Sequence, residues 1–197
     1  MAIKRFSLFL FIMVFYFMLT AFGRNIVWSH DIYLWGDTSS KSPYSIRASN
    51  AYATSLLKGG FADKAVAELE SVLVLSPRAI KTRLNLGAAL FAVGDFKMAE
   101  QQFLFVLNSF PQNIKANFNL AILYMAAYEK PLMAEKILSS VVKRGKMGAY
   151  EPKIYMALSD IYKSLGNNEK SSEYEALLSN FKGVKRVDYA NLLKEVY

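Results

Sequence analysis

Two glycines, Gly60 and Gly94, stand 34 residues apart, and two prolines, Pro77 and Pro111, share the same spacing. An alanine follows each glycine by five residues, Ala65 and Ala99. A fixed period of this length means that one supersecondary unit is built more than once. The residue types say which unit. A glycine that closes a helix in the left-handed region satisfies free carbonyls, and a proline stops a second helix and opens the next one. Small residues fall where the two helices would cross, Ala53 and Gly87 on the first helix and Ala65 and Ala99 on the second. Large apolar residues fill between them: Tyr52, Leu56 and Leu69 in one unit, Leu86, Leu90 and Phe103 in the next. No such unit can bury its apolar face alone, so the units must stack into an all-α array.

A third unit starts near Ile114, with Leu120, Ala121 and Tyr124 in register, but Tyr128 replaces the glycine and Ala134 comes one residue late. Its second helix runs to about Lys143, and a longer loop, 144–151, holds Gly145 and Gly148. A fourth unit restarts at Pro152 with Tyr155, Leu158, Tyr162 and Gly166, and has Ser171 where alanine is usual. The segment 184–197, VKRVDYANLLKEVY, reads as an amphipathic helix that caps the stack.

The unit from Arg83 to Phe103, ending at Pro111, resembles the tetratricopeptide repeat family closely. The resemblance implies four helix pairs over 46–183, wound into a right-handed superhelical solenoid whose concave face is lined by the first helix of each pair. Carried over from the family pattern, that face holds Arg47, Lys81, Lys115 and Lys153 as a basic ladder. Asn50, Asn85 and Asn119 would hydrogen-bond an extended backbone, and Leu84, Phe91, Phe118 and Met125 would offer apolar pockets. This mix suits a peptide or protein segment with acidic groups; the alternative is a solvated basic face.

Upstream, Lys4 and Arg5 precede an uncharged run from Phe6 to Gly23. As a helix it spans about 26 Å, close to the ~30 Å hydrocarbon core. Residues 1–23 therefore read as a membrane anchor, with a cleaved signal peptide ending near Ala21 and Gly23 as the alternative. The charge bias places the N-terminus in the cytoplasm and, in a bacterium, the repeats in the periplasm, on a single-pass inner-membrane protein. Residues 24–45 form a collar in which Trp28, Ile32 and Trp35 share one helical face. The tryptophans suit the membrane interface, or else pack on the first repeat. The stretch 38–43, TSSKSP, reads as a polar linker. The segment Asn25 to Trp28, followed by Leu34-Trp35, resembles the junction in polytopic bacterial membrane proteins with C-terminal repeats that are related to O-mannosyltransferases. That resemblance implies a membrane–collar–repeat layout and no transfer of catalytic activity.

The chain has no cysteine and one histidine, His30, with no partner at metal-ligand spacing, so no metal and no cofactor are expected. No phosphate loop, nucleophile elbow or HExxH is present, so the chain does not read as an enzyme. The net charge of +8 favours acidic partners or anionic lipid; the external location argues against nucleic acid. The expected function is a membrane-anchored scaffold or adaptor that assembles an envelope complex, with an accessory or remnant subunit of a membrane glycosyltransferase system as the alternative.

Overall fold

A computed structural model of the chain describes residues 30–181, together with Met13, Phe17, Met18 and Gly183. The expected anchor over 1–23, Trp28 and the capping helix over 184–197 lie outside the described residues, those few positions apart. Among the described residues no helix is long and apolar enough to cross a membrane.

The described chain is helical throughout. In order come α1 (Asp31–Lys41), α2 (Ile46–Lys58), α3 (Ala62–Leu75), α4 (Ile80–Val93), α5 (Phe96–Ser109), α6 (Ile114–Ala126), α7 (Pro131–Arg144), a 3-10 turn (Gly148–Tyr150), α8 (Glu151–Ser164) and α9 (Asn168–Leu178). Each helix packs on the next, and short turns make neighbours antiparallel. The even-numbered helices also touch one another, α2 to α4, α4 to α6 and α6 to α8, so they form the inner layer and the odd-numbered helices the outer one. The turns therefore fall on two edges. Inner helices run into outer ones at the glycine edge, around Gly60, Gly94 and Gly166. Outer helices run into inner ones at the proline edge, around Pro43, Pro77, Pro111 and Pro152.

The local signals act as their chemistry demands. Gly94 caps α4 at φ 88°, and Ser45, Asp95, Asn113 and Asn167 each accept a backbone N–H of the helix they precede. The small residues matter most at Gly87: a Cβ there would meet the Phe103 ring at 2.4 Å, and Phe103 is fully buried. One core runs unbroken through all four pairs, from Ala53 and Leu57 to Ile161 and Tyr162.

One expectation changes. The stretch 38–41 is the end of α1, not linker. Thr38 Oγ1 donates to Leu34 O at 2.7 Å, and buried Ser39 bonds Glu68 at 2.9 Å and Ser49 at 3.2 Å, so the polar residues find partners within the fold. Ser171, standing where alanine is usual, is buried and donates to Ser159 O at 3.0 Å, so the hydroxyl is satisfied in a methyl group's place. The loop after α7 is partly ordered by Tyr150, whose ring packs edge-on against Phe118 at 5.5 Å.

The missing glycine of the third unit leaves a mark. Glu129, after Tyr128, takes φ 52°, the one positive φ at a non-glycine position among the described residues. Left-handed backbone costs a Cβ-bearing residue about 1 kcal/mol. Glu129→Gly is expected to stabilise the protein by roughly 0.5–1 kcal/mol, read as a rise in the urea midpoint. No change, or a fall, would show that the carboxylate compensates for the strain.

Candidate functional site

The concave face is built by α2, α4, α6 and α8, and the cations sit in the first turn of each: Arg47, Lys81, Lys115 and Lys153. Arg47 and Lys81 are exposed, while Lys115 and Lys153 are half-buried. Lys153 lies 5.7 Å from the Tyr150 ring centroid. Lys81 and Lys153 are close enough to act on Lys115. Burial, then the charges of Lys81 and Lys153, push Lys115 down to about 8. Like charges held together in a partly desolvated groove attract an anionic ligand more strongly than the same charges scattered over a surface.

The other expected groove residues are placed differently. Asn50, Asn85 and Asn119 are buried. Asn50 Nδ2 donates to Thr82 Oγ1 at 2.8 Å and to Ile46 O at 2.7 Å, and its Oδ1 accepts from Asn85 Nδ2 at 2.9 Å. These two amides hold α2 to α4 and are not offered to a peptide backbone, because two inner helices closing on each other take the amides out of water. Leu84, Phe91 and Phe118 are likewise core side chains, at 5%, 8% and 0% exposure, so they line no open pocket. Met125 is half-buried. Trp35 is half-buried beside the groove's first turn. There it borders a hollow of about 220 Å³ together with Asp31, Asn50, Thr54, Lys58 and Lys81.

The structure also shows contacts that the repeat pattern leaves unread. Tyr124 donates to Glu100 Oε1 at 2.6 Å and Tyr128 to Glu100 Oε2 at 3.1 Å, clipping α6 to α5. Tyr162 donates to Glu135 Oε1 at 2.7 Å, the same clip one unit later, between α8 and α7. Burial, followed by the Glu100 hydrogen bond and charge, pushes Tyr124 up to about 12. The signal was present as an Ala-Glu pair in both outer helices, Ala99-Glu100 and Ala134-Glu135. Arg83 plays a related part at the proline edge. Its guanidinium bonds Pro77 O at 2.6 Å and Gln102 Oε1 at 2.7 Å and stacks on Phe105 at 3.6 Å. Asn117, 34 residues on, donates to Pro111 O at 3.0 Å. Arg83 is therefore part of the scaffold, unlike the concave row.

No protein-family model matches the chain, and no curated protein does. Solved structures do. A thermophilic TPR protein of Thermus thermophilus superposes with a TM-score of 0.67 at 18% identity, over 90% of this chain and 93% of that one. Pseudomonas aeruginosa pilF gives 0.65 at 17%, over 89% and 77%. The crystal structure of MamA gives 0.58 at 14%, over 84% and 87%. With its 34-residue period, paired antiparallel helices and inner layer of first helices, this chain has the tetratricopeptide-repeat fold.

Proposed function

We propose that the chain is a membrane-anchored scaffold that binds an acidic protein segment along the Arg47–Lys81–Lys115–Lys153 row. One observation carries this reading: three of the four cations lie together, with Lys81 and Lys153 both acting on half-buried Lys115. The fold supports it, since a solenoid holds an extended concave surface rigid while the partner adapts. The uncharged run 6–23 supports attachment to the inner membrane, with the repeats on the periplasmic side and an envelope complex as the setting.

The binding test uses the full chain in mild detergent and a fluorescent Asp/Glu-rich peptide. The double variant Lys81→Glu, Lys115→Glu is expected to weaken binding at least about tenfold. Raising the pH through about 8 is expected to weaken it as well, because Lys115 loses its proton there, well below the ordinary lysine range near 10.4. The same shift affects stability. The folded state holds this proton less tightly than the unfolded chain, so by this group stability rises as pH climbs from about 8 towards 10.5. Peptide affinity indifferent both to the double variant and to pH would sink the groove reading. For the anchor, the native chain has no cysteine. A single Lys97→Cys, exposed at the glycine edge, should react with an impermeant thiol reagent added outside intact spheroplasts; protection until lysis would overturn the proposed topology.

A further inference from the structure

The two edges of the solenoid differ in charge. At the glycine edge every lysine-bearing turn also carries a carboxylate: Asp63, Asp95, Glu129 and Glu169. At the proline edge the α3–α4 turn, 75–83, carries Arg78, Lys81 and Arg83 and no carboxylate. The α5–α6 turn, 109–115, carries Lys115 and none. The α7–α8 turn, 143–153, carries four cations against Glu151. Among the described residues, net positive charge is thus concentrated at the proline edge.

That side also presents apolar side chains to solvent. Tyr44 is 84% exposed, Val74 80%, Leu75 59% and Phe110 52%. Two shallow hollows, of about 440 and 480 Å³, open at equivalent places beside Pro77 and Pro111. Protruding aliphatic and aromatic tips set among clustered cations are the chemistry of a bilayer interface, where the tips enter the acyl boundary and the cations meet phosphates. Nucleic acid would satisfy the cations but leave Val74 and Leu75 against a charged backbone.

We infer that the proline edge of the repeats, from Tyr44 through Leu75 to Phe110, lies on an anionic phospholipid surface. The concave row sits at the start of the inner helices, so this orientation holds a partner segment close to the membrane plane. The inference shares only the bilayer with the anchor proposal, and the two are compatible in length. The seven steps from Gly23 to His30 reach up to about 25 Å, while α1, which leads from the glycine edge to the proline edge, is about 16 Å long.

The test uses the full chain with single cysteines, Leu75→Cys and Phe110→Cys at the proline edge and Lys97→Cys at the glycine edge, each carrying an environment-sensitive fluorophore. Vesicles of phosphatidylcholine are compared with vesicles rich in phosphatidylglycerol. The expected result is a blue shift at 75 and 110, with phosphatidylglycerol only, and none at 97. The triple variant Arg78→Glu, Lys143→Glu, Lys146→Glu should weaken this response at least about tenfold, as should 1 M salt, where screening acts within about 3 Å. Circular dichroism of the triple variant checks that it remains helical. Labels at 75 and 110 that stay in water with both lipids would overturn the inference, and so would an equal shift at 97. A shift at 75 and 110 as large in phosphatidylcholine would remove its electrostatic basis. If the anchor fails, the chain leaves phosphatidylcholine vesicles yet still answers to phosphatidylglycerol. If this inference alone fails, the chain stays with both vesicles and its labels do not respond.

Discussion

Phe103→Ala is expected to lower stability by about 3–5 kcal/mol, the largest single effect in the molecule. The ring is fully buried at the centre of the second helix pair and lies against Gly87 so closely that a Cβ there would meet it at 2.4 Å. Gly87→Ala on its own is expected to cost about 1–3 kcal/mol, because the ring must move within a close-packed core. The two effects are coupled. In the Phe103→Ala background the new methyl group enters the space the ring has left, so Gly87→Ala should become nearly neutral or favourable there. Urea unfolding of the full chain in mild detergent, followed by helical circular dichroism, gives the four stabilities of the cycle. Additive losses would show that Gly87 is held by something other than the approach of Phe103.

Asn50→Ala is expected to cost about 1–3 kcal/mol and to loosen one end of the solenoid rather than the whole. Asn50 ties α2 to Thr82 and Asn85 on α4, and all three are buried. Truncation leaves the Asn85 amide without its acceptor in a place water does not reach, and Asn85 Oδ1 already has no hydrogen-bond partner. Neighbouring units in a solenoid hold one another by such contacts. Hydrogen exchange should therefore accelerate in α2 and α3 and stay unchanged in α8 and α9. The double variant Asn50→Ala, Asn85→Ala should be less damaging than the sum of its parts, since it removes both halves of the pair. Uniform acceleration along the chain would indicate that the four pairs unfold as a single unit.

The repeat period and the cation row were legible in the sequence, because both are written as residue type against position. Gly94 needs a left-handed backbone, Ala99 and Gly87 need a close crossing, and Lys81 and Lys115 recur 34 residues apart. The asparagines and the apolar groove residues were assigned to a partner because the family pattern places them on the inner helix. The pattern gives a residue's angle on its helix and not how near the next inner helix comes. That distance decided whether Asn50 faces a ligand or Asn85, and whether Phe118 lines a pocket or meets Tyr150.

By itself, the sequence determined the helix pairs, their period, the small residues at their crossings and the cations that recur with them, since each follows from local backbone preference or from spacing along one helix. Only the tertiary structure decided that Thr38 to Lys41 complete a helix, that Glu100 and Glu135 clip one unit to the next, and that, among the described residues, one edge carries most of the positive charge beside exposed Val74, Leu75 and Phe110. These features join residues from different helices, and how far apart such residues come to lie depends on the packing of whole helices rather than on their spacing along the chain.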